Sequence, residues 1–434
     1  MCKLSRVIHQ LTERLNMNRS VLLGNLLLIL SCFPASTQTN TFCQANGQAT
    51  VHAGKLVCLL PNLGFPPVTS GADPIGGLDA AIASQASLFP LASPASGIVY
   101  TTDPSLQITA PSGTDSFGPV MFERGEILHR GKLFVAFTYQ NFQFNNIDGV
   151  NLKSIPAYFP TTTGAPGFVQ TSTRVDLKIN QFAFYVTYGL TKRVEVSVAV
   201  PFLNVKLGAN TTCVNGYNLV TGAYTGQIPC IVTNHGNVTT RSNSSETTGI
   251  GDLVLRGKVN LWRGEHLGVA GAVDLRLPTG DELDFLGTGA AGVRPFLAAS
   301  WRGRVAPHVD FGYQWNGNSD IASIQGPGIS GKLPNNLFYV AGADARLVKR
   351  LTLSADYLGQ RVFSALGEGL QTEPNSGFTG VFTGTHSFNT NYATVGGKLN
   401  PVGNLLLTAN VLFKLDHNGL RNKPAPLGGI SYTF

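Results

Sequence analysis

Charge is scarce in this chain: Asp, Glu, Lys and Arg supply only 13% of its 434 residues. No run of about 20 apolar residues occurs beyond the N-terminus, which excludes a membrane-spanning helix in the mature protein. The basic balance is mild. A formal charge of +7 falls to +4 once the leader residues Lys3, Arg6, Arg14, Arg19 and Glu13 are set aside, too little to argue for a nucleic-acid partner. No Cys/His spacing suits zinc, so no metal and no cofactor are expected. No Gly-x-Ser-x-Gly elbow offers a hydrolase nucleophile. The one dinucleotide-like run, Gly287 to Gly292, leads into a strand rather than a helix and lacks the dipole that would hold a pyrophosphate.

What is present is alternation. From Lys132 to Phe434, apolar residues recur every second position, the period of a strand with one apolar face. Val194, Val196, Val198, Val200 and Phe202 show it best. The final strand places Ile430, Tyr432 and Phe434 on one side and finishes on an aromatic. Twelve such strands can be counted, joined alternately by short turns and long loops. The long loops are expected at roughly 146–172, 204–247, 278–290, 316–335, 361–389 and 416–424. Short turns on one side and long loops on the other define an up-and-down transmembrane barrel, and an even strand number brings both ends to the periplasm. Trp262 and Trp301 abut short turns, while Phe202, Tyr313, Trp315 and Tyr357 lie toward the long loops. Two such aromatic belts are what membrane interfaces select. The phase slips at Asn180-Gln181, which reads as a β-bulge.

The expected class is therefore all-β: a transmembrane antiparallel up-and-down barrel of about twelve strands in the bacterial outer membrane, with an irregular N-terminal segment. Residues 1–37 read as a signal peptide, with a basic leader before the apolar run Val21–Phe33. Residues 38–128 form a periplasmic or plug-like segment holding one short helix over 78–91, with Leu78, Ile82 and Leu88 as its apolar side. Residues 129–434 form the barrel. Export to an oxidising compartment makes Cys43/Cys58 and Cys213/Cys230 the natural short-range disulfides.

Residues opposite the apolar set are expected to line the lumen: Asp176, Lys178, Glu195, Asp252, Arg256, Lys258, Asp274, Arg276, Arg294, His308, Asp310, Asp344, Arg346, Asp356 and Lys398. Unpaired charges in a narrow lumen would cost several kcal/mol each, so this set reads first as an ion-pair network bracing the wall and second as a polar conduit. Its balanced signs disfavour strong ion selectivity. The carboxylates Asp281, Glu282 and Asp284 share one outer loop, where a solvated loop is a simpler reading than a cation site.

Two linked motifs add a resemblance. Thr248 to Val259 reads TGIGDLVLRGKV, and Asp274 to Asp281 reads DLRLPTGD. Together they resemble the outer-membrane transporter family named for the meta-pathway of phenol degradation, over about residues 170–434. That resemblance implies an outer-membrane barrel and transport of small molecules, aromatic ones included. The expected function is passive uptake or export of small, hydrophobic or aromatic molecules by a non-enzymatic channel, with membrane lipids and a small solute as partners. The alternatives are a structural or adhesive barrel with a closed lumen and, behind it, a barrel-embedded lipid hydrolase.

Overall fold

The structure, a computed structural model, describes residues 54–60, 76–86, 100–103, 108–111, 117–160, 166–226, 231–233, 236–238, 240–323 and 330–434. The signal-peptide region lies outside them, as do Cys43 and Cys230. Cys58 and Cys213 are both disulfide-bonded.

Twelve antiparallel strands close into a barrel. They are β1 (Leu133–Ile147), β2 (Gly167–Gly189), β3 (Val194–Asn218) and β4, which runs Thr240–Ile250 and resumes as Leu253–Arg263. There follow β5 (Leu267–Leu277), β6 (Gly292–Trp301), β7 (Val305–Asn316) and β8 (Asn335–Val348). The last four are β9 (Leu351–Thr372), β10 (Thr379–Leu399), β11 (Leu405–Lys414) and β12 (Ala425–Thr433). Each pairs with its sequence neighbour, and β12 returns to β1 with Ile430 opposite Phe137. Closure leaves no unpaired edge, the condition for strands to cross hydrocarbon. No helix among the described residues is long and apolar enough to cross a membrane.

The exterior of the lower barrel is an apolar belt. Phe137, Phe184, Val273, Leu297, Phe311 and Val395 are all exposed large hydrophobics, which only lipid can cover at such density. Trp262 and Trp301 stand exposed at the short-turn end, and Phe202, Trp315 and Tyr357 at the other. The barrel is thus an outer-membrane one, with aromatic girdles at both interfaces.

Four strands overrun the membrane. A span needs about 9–11 residues, yet β2 has 23, β3 has 25, β9 has 22 and β10 has 21. On β2 the excess above the outer girdle carries a reversed polarity. Below Asn180, Phe182 and Phe184 face outward; above it, Val175 and Leu177 are buried and Asp176 and Lys178 are exposed. The pairing of β2 with β1 and β3 runs through Asn180-Gln181 without a shift, so the expected bulge there is absent. The side chains keep alternating; the solvent outside changes from lipid to water. Asp176 and Lys178 consequently do not line the lumen.

The boundary is marked by an outward row of asparagines in register, Asn141, Asn180 and Asn204. Asn141 donates to Asn180 (2.7 Å), Asn180 to Asn204 (3.0 Å), and Asn204 to Glu246 and Thr248 on β4 (2.6 and 2.8 Å). Much of the expected loops at 204–247 and 361–389 is therefore strand. Only Glu373–Phe378 separates β9 from β10. Ile155–Pro160, inside the expected loop at 146–172, pairs with the top of β2.

Inside this crown sits α1 (Gly76–Ala86), which starts two residues before the expected helix; residues 87–91 of that expectation lie outside the described residues. Leu78, Ala80, Ala81 and Ile82 are all fully buried, so the helix is enclosed on every side rather than on one. Small residues permit this: Gly77 leaves no room for a Cβ beside Thr383 of β10. Gln85 anchors the helix by donating to the Leu366 carbonyl at 2.7 Å.

Candidate functional site

The strands bring an inward charged face around residues 117–128, which run along it. Glu123 is the hub. Its carboxylate accepts from the Arg256 guanidinium and from Lys258 Nζ (2.9 Å). Its backbone N–H donates to Asp310 at 2.9 Å. Both wall cations are themselves shared. Arg256 forks onto Asp274 (2.5 and 2.9 Å), which also receives Arg294 (2.9 Å). Lys258 lies 3.4 Å from Glu195 and donates to the Glu126 carbonyl (2.8 Å). A bidentate guanidinium–carboxylate pair in a dry setting is among the stronger polar contacts, yet it repays desolvation only when every member is partnered. Here Asp274 and Glu195 supply wall partners, and Glu123 of the segment adds a carboxylate shared by both cations.

Further contacts fix that segment to the wall along its length. Gly125 donates to Ser300 Oγ (2.9 Å) and its carbonyl accepts from Asn260 (2.8 Å). Glu126 accepts from Ser300 (2.6 Å) and Arg302 (3.1 Å). Leu128 N–H donates to Glu195 (2.5 Å). Near its start, Lys398 donates to the carbonyls of Pro119 (2.7 Å) and Phe117 (3.3 Å), while Arg124 lies 3.7 Å from Asp344. Glycine is required at 125, where a Cβ would overlap the Gly268 backbone of β5. Beside the segment, His308 bridges Asp344 (3.2 Å) and Asp356 (2.8 Å).

A second cluster lies at the outer rim, where the two sequence motifs meet. Asp252 accepts from Thr288 N (2.8 Å), Thr288 Oγ1 (2.6 Å) and Gly280 N (3.1 Å). Thr279 donates to the Gly251 carbonyl at 2.7 Å. Together these contacts fold the β5–β6 loop inward. Asp281 and Asp284 on that loop hold Lys55 at 2.5 and 2.7 Å. Burial disfavours the Lys55 ammonium, but hydrogen bonds to both carboxylates outweigh it and its pKa lies above the ordinary lysine value. The acidic loop is thus occupied by a residue from the N-terminal region. Among the described residues, no group of three or more His, Cys, Asp or Glu is arranged to hold a metal.

Of the residues expected from sequence, Asp252, Arg256, Lys258, Asp274, His308, Asp310 and Asp344 are buried and inward-facing, with Glu195, Asp356 and Lys398. Arg276 and Arg294 are inward and partly accessible, and Arg346 is half-buried near a short turn. Sequence reasoning missed Glu123 and Glu126, the counter-charges supplied from outside the barrel strands. The signal was present: Glu123-Arg124-Gly125-Glu126 is a dense charge cluster in a charge-poor segment.

Between α1 and the folded-in loop lies a cavity of about 100 Å³, lined by Phe142, Ile179, Leu203, Phe285 and Leu286 and also by Arg276 and Asp252.

No curated protein matches the chain. Solved structures similar in fold include an outer membrane channel from Pseudomonas putida F1, 14% identical over 71% of this chain and 97% of that one, with a TM-score of 0.43. The NanC porin is 6% identical over 69% and 98%, TM-score 0.36. The outer membrane channel DcaP of Acinetobacter baumannii is 8% identical over 71% and 100%, TM-score 0.27. Residues 159–361, from just before β2 into β9, match the family described as "Putative MetA-pathway of phenol degradation".

Proposed function

We propose that the protein is a conduit for small solutes, hydrophobic or aromatic ones included, closed at rest by residues 117–128 acting as a strap across the lumen. The observation that carries this reading is Glu123, which joins Arg256, Lys258 and, through its backbone, Asp310. A barrel needing only a braced wall would pair these charges strand to strand. Beyond such wall pairs with Asp274 and Glu195, Arg256 and Lys258 share a further counter-charge that the strap supplies and could withdraw. Supporting the solute class are the apolar cavity at the outer end and the description of the matching family. No step of chemistry is assigned to the wall.

Planar-bilayer conductance and liposome swelling with the full chain and with residues 38–128 deleted test this directly. Low conductance that rises sharply on deletion is expected. Unchanged conductance would remove the strap from the mechanism. A second reading, a closed structural barrel, is favoured by the same density of strap contacts; it requires both forms to be silent.

A further inference from the structure

We propose that the cavity beneath α1 is a binding site for a small aromatic monocarboxylate, its carboxylate paired with Arg276 and its ring among the apolar walls. The proposal deepens the conduit reading and rests on it only for the site's place along a route.

The argument begins with Arg276. Its Nη2 donates to Asn316 at 2.7 Å, but its Nε is buried and meets no acceptor among the described residues. The nearest carboxylate, Asp252, stands 3.8 Å from Nε, beyond hydrogen-bond reach. Asp252 cannot readily swing closer, because Thr288 and Gly280 already hold both of its oxygens. A guanidinium with a spare donor in the lining of a largely apolar chamber is a site for an anion: planar carboxylates match its fork.

The rest of the chamber selects the body. Phe142, Ile179, Leu203, Phe285 and Leu286 wall it, with Ala83 and Ala86 of α1 as neighbours. About 100 Å³ is of the order of an engineered apolar cavity that accommodates benzene. Asp252 beside the guanidinium disfavours a second negative charge. One ring and one charge therefore fit, and neither a dianion nor a bare short-chain acid uses both halves of the site.

The test is isothermal titration of the purified full chain in detergent micelles with benzoate. Benzyl alcohol (ring without charge), acetate (charge without ring) and phthalate (two charges) serve as comparators. Benzoate is expected to bind about tenfold or more tightly than each of them, the scale of one charge-assisted hydrogen bond. Arg276→Gln should weaken benzoate by a similar factor and leave benzyl alcohol unchanged. Arg276→Lys should fall between, and Ala86→Phe, which fills the chamber, should abolish binding. Heat-modifiable mobility confirms that each variant is folded, and the comparator ranking in the unaltered chain decides the matter if a variant is not. Equal affinity for benzoate and benzyl alcohol, or benzoate binding indifferent to Arg276→Gln, overturns the proposal, as does no binding at all. Benzoate that binds but never crosses liposomes leaves the site standing and sinks the conduit. Solutes that cross while benzoate fails to bind do the reverse.

Discussion

The lower barrel and the crown above it are built from the same strands yet are inside-out copies of each other. Below the row Asn141, Asn180 and Asn204, large apolar side chains face outward and ions face in. Above it, Val175, Leu177, Val205 and Leu207 are buried inside while Asp176, Lys178 and Lys206 are exposed. The backbone ladder runs through the row without interruption. Strand pairing is therefore indifferent to which face is greasy. The medium outside and the filling inside decide that, and here they change together: lipid outside and a charged strap within, then water outside and the apolar helix α1 within.

The sharpest way to break the comparison is to cut into each interior. Glu123→Ala strips the hub from Arg256 and Lys258, and removing one partner of a buried pair costs on the order of 3–5 kcal/mol. If residues 117–128 act as the proposed strap, the expected outcome is a raised open probability in bilayer recordings, with barrel stability largely kept. Leu177 is instead buried among apolar side chains of the crown. Leu177→Ala should lower stability by about 2–5 kcal/mol in a denaturant titration without opening the pore.

The exteriors differ just as strongly, and the same charge placed on each sharpens the contrast. Leu297→Arg on the lipid face should destabilise the folded barrel by about 2–4 kcal/mol, the cost of an arginine near the bilayer midplane. Asp176→Arg on the crown exterior should move it by no more than about 0.5 kcal/mol. Urea titrations in lipid vesicles measure both, and equal costs would mean that the crown is membrane-embedded.

Gly125→Ala is a finer probe. Its Cβ would collide with the Gly268 backbone, so the strap must lift locally. Faster hydrogen exchange at residues 123–128 is expected, with the crown unaffected. Smallest of all is the effect of acid on the crown turn. Slight burial disfavours the Glu373 carboxylate, but the Ser376 hydroxyl and the backbone N–H of Ser376 hold it to a pKa of about 2. A depressed carboxylate stabilises above its unfolded value and loses that contribution as pH falls. Exchange in residues 373–378 should therefore rise between roughly pH 4.5 and 2, while the strap region does not share that local cause.

Much of the barrel was legible in the residues. The period-2 apolar runs, the paired turns such as Arg302-Gly303-Arg304 and the aromatic positions Trp262 and Trp315 each follow from local rules of strand and membrane. The inward set from Asp252 to Lys398 was legible for the same reason. Where the reading failed, at Asp176, Lys178 and the supposed bulge, it had assumed one medium along the whole strand. The polar stretch Thr240–Ile250 reads as loop because water on its outer face erases the hydrophobic alternation.

The sequence by itself determined the strand count, the faces within the membrane and the type of charge pointing inward, because these depend on neighbours two residues apart and on lipid. Only the tertiary structure decided what those charges meet. Glu123 finds Arg256 across 133 positions of chain, and no local pattern encodes a partnership that exists only once the barrel has closed around its own N-terminal segment.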